Sequence, residues 1–184
     1  MSNPKNNIAE ILEKLDTLSP FALQESWDNS GLILGSKSRN FQKIYLALEV
    51  TQSILEQMEE NSLLITHHPL IFSPLKTLID EIYPTALLNL AICKNIQLIA
   101  MHTNFDKTHF GKYLVEKILG IKTYIQEDFA IKFQWDSDFA SLCELIKTKM
   151  NLQNLKITHS PNPKCKNIAL ITGSGGDFIR TLQG

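Results

Sequence analysis

Three apolar runs of strand length, Ile44 to Val50, Leu63 to Thr66 and Ile96 to Met101, alternate with stretches of helical spacing, and nothing else limits the fold as strongly. A strand that feeds a helix and then another strand is buried on both faces, which predicts a parallel or mixed sheet with helices packed against it. One helix starts near Thr51, a ready N-cap, and another runs from about Pro84 to Asn95 with proline in its first turn. Ile8, Ile11, Leu12, Leu15 and Leu18 recur at helical spacing up to Ser19-Pro20, which predicts an earlier helix with one buried stripe. The turn-rich Trp27-Asp28-Asn29-Ser30-Gly31 precedes a short apolar run, Leu32 to Leu34. In such folds functional residues lie where strands have ended and helices have not begun.

The second half reads less regularly. A helix from about Gly111 to Leu119 is closed by Gly120, and a strand follows over Phe129 to Trp135. The next helix spans about Ser137 to Met150, with Asp136 as its expected cap. Leu155 to Ser160 and Asn167 to Gly173 read as two more strands around the loop Pro161-Asn162-Pro163-Lys164. A lobe boundary is expected near residue 125, so residues 1–125 form a metal-binding α/β lobe and 126–184 a second, smaller α/β lobe. Gly173-Ser174-Gly175-Gly176 turns into the start of a helix and has the look of a phosphate-binding bend. No Lys-Ser or Lys-Thr follows, and Asp177 places negative charge where a phosphate would sit. Close packing of strand on helix is the better account of those glycines.

Lys and Arg number 18 against 19 Asp and Glu, a net charge of -1, so no global field draws nucleic acid or an anionic membrane. Cys93, Cys143 and Cys165 are odd in number and lack metal-type spacing, which fits a reducing cytoplasm and no disulfide framework. No apolar run approaches the roughly 18 residues that a membrane helix needs.

Chemistry concentrates at two strand ends. His67 and His68 follow Leu63 to Thr66, and His102 and Asp106 follow Ile96 to Met101. Imidazole suits zinc, iron or nickel, and the Asp106 carboxylate extends the choice to manganese. Adjacent side chains on a strand point to opposite faces, so His67 and His68 need a change of backbone path to share a site. Pro69 supplies one, because it keeps His68 out of the helical region. The two rings then serve two ions or two edges of one site. A lone histidine at a loop end is more often a packed or hydrogen-bonding residue, and His109 and His159 take that reading. His102 and Asp106, flanking Asn104, are expected on a loop. Either is the ligand; in one consistent assignment Asp106 binds metal while His102 supports it or carries protons. Glu25, Asp28 and Glu49 are acids near other strand ends, and of these only Glu49, closing a strand, merits mutation.

Glu25 to Gly35 (ESWDNSGLILG), Leu46 to Thr51 (LALEVT), Ile65 to Phe72 (ITHHPLIF) and His102 to Asp106 (HTNFD) occur in a familiar order. The chain resembles the NIF-three-like, GTP cyclohydrolase I type 2-like family, over about its first 120 residues and again at IALITGSGGDFI. The resemblance implies an α/β protein with two divalent metal ions, assembled as a hexameric ring of dimers, and metal-dependent hydrolysis of a nucleotide such as GTP. It makes His67 and His68 ligands of one metal each and Asp106 a further ligand, which leaves His102 as the expected catalytic group. Glu49 stands where the family has aspartate. The family's closing histidine and glutamate, four residues apart, have no counterpart after Gly176, so a chain shortened relative to its relatives is expected, with a non-catalytic ring-forming scaffold or metal- or protein-binding module as the competing reading.

Overall fold

A computed structural model describes residues 6–158 and 164–179. Contacts divide the chain into a unit up to Phe105 and a unit from Asp106 onward.

The first unit is a four-stranded mixed sheet. Its strands are β1 (Gly31–Leu34), β2 (Ile44–Ala47), β3 (Leu63–Thr66) and β4 (Gln97–Ala100), in the order β1-β4-β3-β2. β2, β3 and β4 run parallel, and β1 pairs antiparallel with β4. Helix α1 (Ile8–Leu18) lies on one face; α2 (Gln52–Gln57) and α3 (Thr85–Cys93) lie on the other. Alternation along the strands sorts the core accordingly. Leu63 and Ile99 face Ile8 and Leu12 of α1, while Leu64 and Leu98 face Leu55, Leu88 and Ala91. The expected helices and strands are therefore present, and Thr51 caps α2 by accepting from the Ile54 N–H. Leu18 falls off the buried stripe of α1 and is 52% exposed.

Two polar devices hold this unit. Lys94 Nζ donates to the carbonyls of Leu55, Glu56 and Met58 at 2.7, 2.9 and 2.6 Å, satisfying the open C-terminal end of α2. Gly35, at φ +122°, passes so close to the Gln97 amide that an added Cβ would lie 1.9 Å from its Oε1. Only glycine combines that backbone angle with that approach.

The second unit carries a three-stranded antiparallel sheet of β5 (Ile125–Glu127), β6 (Ala130–Gln134) and β7 (Asn167–Ile171). Val115 of the helical stretch packs with Ile131 and Phe133 of β6, and Gly111 brings its backbone against Ile131. That packing assigns residues 106–119 to this unit, whereas the sequence places the boundary near 125. Helix α4 (Phe139–Lys149) is capped by Asp138, which accepts from the Ser141 N–H at 2.8 Å, and not by Asp136. The helix starts later than expected because extended backbone at Asp138 sets its carboxylate over the first turn. β5 was not read from the sequence, being short and led by an Ile125 that is 66% exposed.

Leu155 to Thr158 form no strand. Both edges of β6 are taken by β5 and β7, and Ile157 is left 59% exposed. Residues 159 and 160 of that expected strand, His159 included, lie outside the described residues, as does the loop 161–163. After β7, Gly175 sits against Ile171 and the four-residue helix Gly176–Ile179 follows; Gly173 and Gly176 have open space where a side chain would stand, so the packing role expected of these glycines holds for Gly175 alone. Among the described residues no helix is long and apolar enough to cross a membrane.

Candidate metal centre

Register places the site. In the β3–β4 ladder Leu63 pairs with Gln97 and Thr66 with Ala100, so both strands finish level and the next residues emerge side by side. Beyond Thr66 the chain still borrows from β2, the His67 and His68 N–H groups donating to Ala47 O and Leu48 O at 3.3 and 2.9 Å. The Thr66 hydroxyl then turns back to His68 O at 2.9 Å, and Pro69 ends the strand geometry. This is the change of path that adjacent histidines require. Their rings lie 4.9 Å apart at 50°, and His102 stands 5.2 Å from His67 and 5.6 Å from His68. One nitrogen from each of the three lies within 4.8 Å of the others.

Each imidazole is held through Nδ1. His67 Nδ1 meets Met101 O at 2.9 Å, His68 Nδ1 meets Glu49 Oε1 at 3.1 Å, and His102 Nδ1 meets Asp28 Oδ1 at 2.7 Å. A carbonyl or carboxylate can only accept, so each Nδ1 carries the hydrogen in the neutral ring and each Nε2 keeps a lone pair. Three oriented imidazoles with oxygen partners behind them form the donor set of a metal-binding histidine group. The residues fit a divalent ion.

Asp28, passed over in the sequence as one acid among many, has no exposed side-chain surface. It accepts from His102 Nδ1, from the Thr103 N–H at 3.0 Å and the Thr103 hydroxyl, from the Ser30 hydroxyl at 3.1 Å and from the Asn29 N–H at 2.7 Å. Burial by itself raises its pKa. The hydrogen bonds from His102, Thr103 and Asn29 outweigh that and hold the carboxyl well below the usual carboxylate range. Glu25 contributes its backbone, the N–H donating to the Thr103 hydroxyl at 3.0 Å.

Asp106 is buried, but it is not on a loop. Helical turns begin directly at Thr103, and Asp106 opens a π turn, Asp106–Phe110. The group that comes together is His67, His68 and His102; Asp106 opens the second unit and is not in that group. In the same π turn His109 Nδ1 pairs with the neighbouring Thr108 hydroxyl at 2.8 Å, in keeping with its bland reading.

Comparison with known proteins agrees with this geometry. The family model of DUF34/NIF3 (NGG1p interacting factor 3) matches residues 6–184. The chain belongs to the DUF34/NIF3 family. A Campylobacter jejuni relative named "GTP cyclohydrolase 1 type 2 homolog" is 46% identical over 176 residues, covering 96% of this chain and 73% of its own. A Helicobacter pylori (strain J99) relative named "GTP cyclohydrolase 1 type 2" is 44% identical over 177 residues, covering 96% and 72%. Among solved structures, the Staphylococcus aureus hypothetical protein SA1388 superposes with a TM-score of 0.81 at 24% identity, over 96% of this chain and 75% of that one. This last likeness concerns the fold alone.

Proposed function

We propose that this NIF3-family chain is a metal-dependent hydrolase acting on a nucleotide or related small molecule, with GTP the first substrate to test. The observation that carries the reading is the set of three imidazoles, each held by oxygen at Nδ1 and each keeping its Nε2 lone pair. When bound, a divalent ion (zinc, iron, manganese or nickel) supplies Lewis acidity at neutral pH. His67 and His68 are its proposed ligands, one for each of two ions, with Asp106 a further ligand carried over from the family motif. His102, held by Asp28, is the proposed proton carrier: the buried carboxylate fixes the tautomer and stabilises the ring once Nε2 takes a proton. For GTP, the names of the relatives suggest hydrolysis with net uptake of one water, giving formate and dihydroneopterin triphosphate.

Elemental mass spectrometry of protein purified without added metal, beside His68→Ala, tests the centre. About two ions per chain, lost in the variant, followed by formate release from GTP, supports the reading. Metal-free protein that hydrolyses GTP at full rate overturns it.

A second reading has its own observation. Strand β2 lies at the edge of its sheet, and Ile44, Leu46 and Leu48 are 45%, 78% and 63% exposed. Such an apolar edge suits a ring-forming scaffold, a hexamer being the family-based expectation. Assembly that persists in chelator, without turnover of any nucleotide, would favour it.

A further inference from the structure

Beside the histidine cluster stand two large aromatic side chains that the core does not use. Trp27 is 57% exposed and Phe72 is 51% exposed, although each offers one of the largest apolar surfaces available for burial. Their rings are 5.7 Å apart at 51°, and both approach His102 nearly edge-on, at 6.3 Å and 75° for Trp27 and 6.2 Å and 79° for Phe72. We propose that Trp27 and Phe72 form a shelf that takes the face of a planar heteroaromatic ring of purine size and holds it beside the three histidines.

The shelf stands on a rigid base. Trp27 lies within a turn closed by the Asp28 N–H on Glu25 O at 2.9 Å. The turn is pinned at both ends, by the Glu25 N–H on the Thr103 hydroxyl and by the Asp28 carboxylate on His102. Asn29 Nδ2 donates to Ile71 O at 2.6 Å and so ties the Trp27 segment to the Phe72 segment. The spacing of the two rings is therefore set by backbone anchors, and rigid exposed aromatics are what stacking ligands use. Phe72 also walls a cavity of about 340 Å³ with Leu70, Pro74, Leu75 and Tyr83, which leaves room for substituents on the ring.

The charge of the neighbourhood selects the ligand class. A cation would be attracted to the ring faces but repelled by a divalent ion at the histidines, whereas a neutral or anionic heteroaromatic meets no such repulsion. Lys76 lines the cavity beside Phe72 and adds a positive charge there, which also favours an anionic substituent.

The inference rests on the hydrolase reading for the choice of ligand, and its test separates the two. The chain has two tryptophans, so Trp135→Phe leaves Trp27 as the sole tryptophan, excited beyond the tyrosine absorption band. Titration of that protein with guanosine 5′-monophosphate should quench Trp27 saturably, and ribose 5-phosphate should not. Phe72→Ala in the same background should weaken the guanosine monophosphate affinity by about five- to tenfold with metal content unchanged. Metal content measured on the same samples keeps the outcomes apart: saturable quenching by a protein that takes up no metal even when metal is supplied supports the shelf while the hydrolase reading fails. Three results would overturn the shelf. These are no saturable quenching in metal-loaded protein, equal quenching by ribose 5-phosphate, or emission that follows protein concentration alone, which would mean that a second copy of the chain covers the rings.

Discussion

The Asp28 carboxylate accepts the Nδ1 hydrogen of His102 at 2.7 Å across 74 positions of sequence, and nothing on the Asp28 side chain reaches solvent. Asp28→Asn removes the charge and some of the acceptor capacity that His102, Thr103, Ser30 and Asn29 share. Unfolding in urea should show a loss of roughly 3 kcal/mol at pH 7.

The same pair predicts an acid dependence. A carboxyl held below its ordinary 3.8 in the folded protein contributes stability that is complete above that value and is lost as pH falls toward the lower folded pKa. Urea midpoints measured from pH 5 down to 2 should fall in the parent more steeply than in Asp28→Asn. Equal slopes would mean that Asp28 is not the group responsible.

Glu49 holds His68 from a solvent-exposed position, at 3.1 Å. Glu49→Gln keeps an acceptor oxygen and loses the charge, so metal affinity should drop by about tenfold while thermal stability hardly moves. Competition with a chromophoric chelator reads the first and calorimetry the second.

His67→Ala should abolish metal uptake and leave the fold intact, because the residue is only half-buried and stands beyond the end of β3. Asp106→Asn should lower metal content as well if the family motif is read correctly. Elemental analysis and circular dichroism on both variants decide this, and a full metal complement in either would strike that residue from the ligand set.

Lys94→Met should destabilise the protein by about 2 kcal/mol, since three carbonyls at the end of α2 lose their charged donor. Metal binding should be untouched.

Periodicity made the first unit legible, because Leu63 to Thr66 and Gln97 to Ala100 are covered on both faces and are apolar except at their ends, Thr66 and Gln97. The histidines were legible for the same reason, standing directly at the ends of those runs. Asp28 was not. Its partners His102 and Thr103 are brought to it by the β1–β4 pairing, and an acid inside a turn-rich stretch looks like solvated surface until that pairing is known. The Trp27–Phe72 contact leaves no mark on the sequence either, being made between two loops that share no period. In the second unit the strand expected at Leu155 to Ser160 failed over its described part, since alternating apolar residues become a strand only where a free edge and a core await them.

The level finish of β3 and β4 has a consequence for folding. Sliding one strand by a single residue would shift its end by about 3.3 Å and invert the faces of Leu98 and Ile99, so His102 would leave the group formed with His67 and His68. Metal uptake is thus a gauge of correct strand alignment. During refolding it should appear only when the sheet has locked, and an ion bound there would report when this topology is complete.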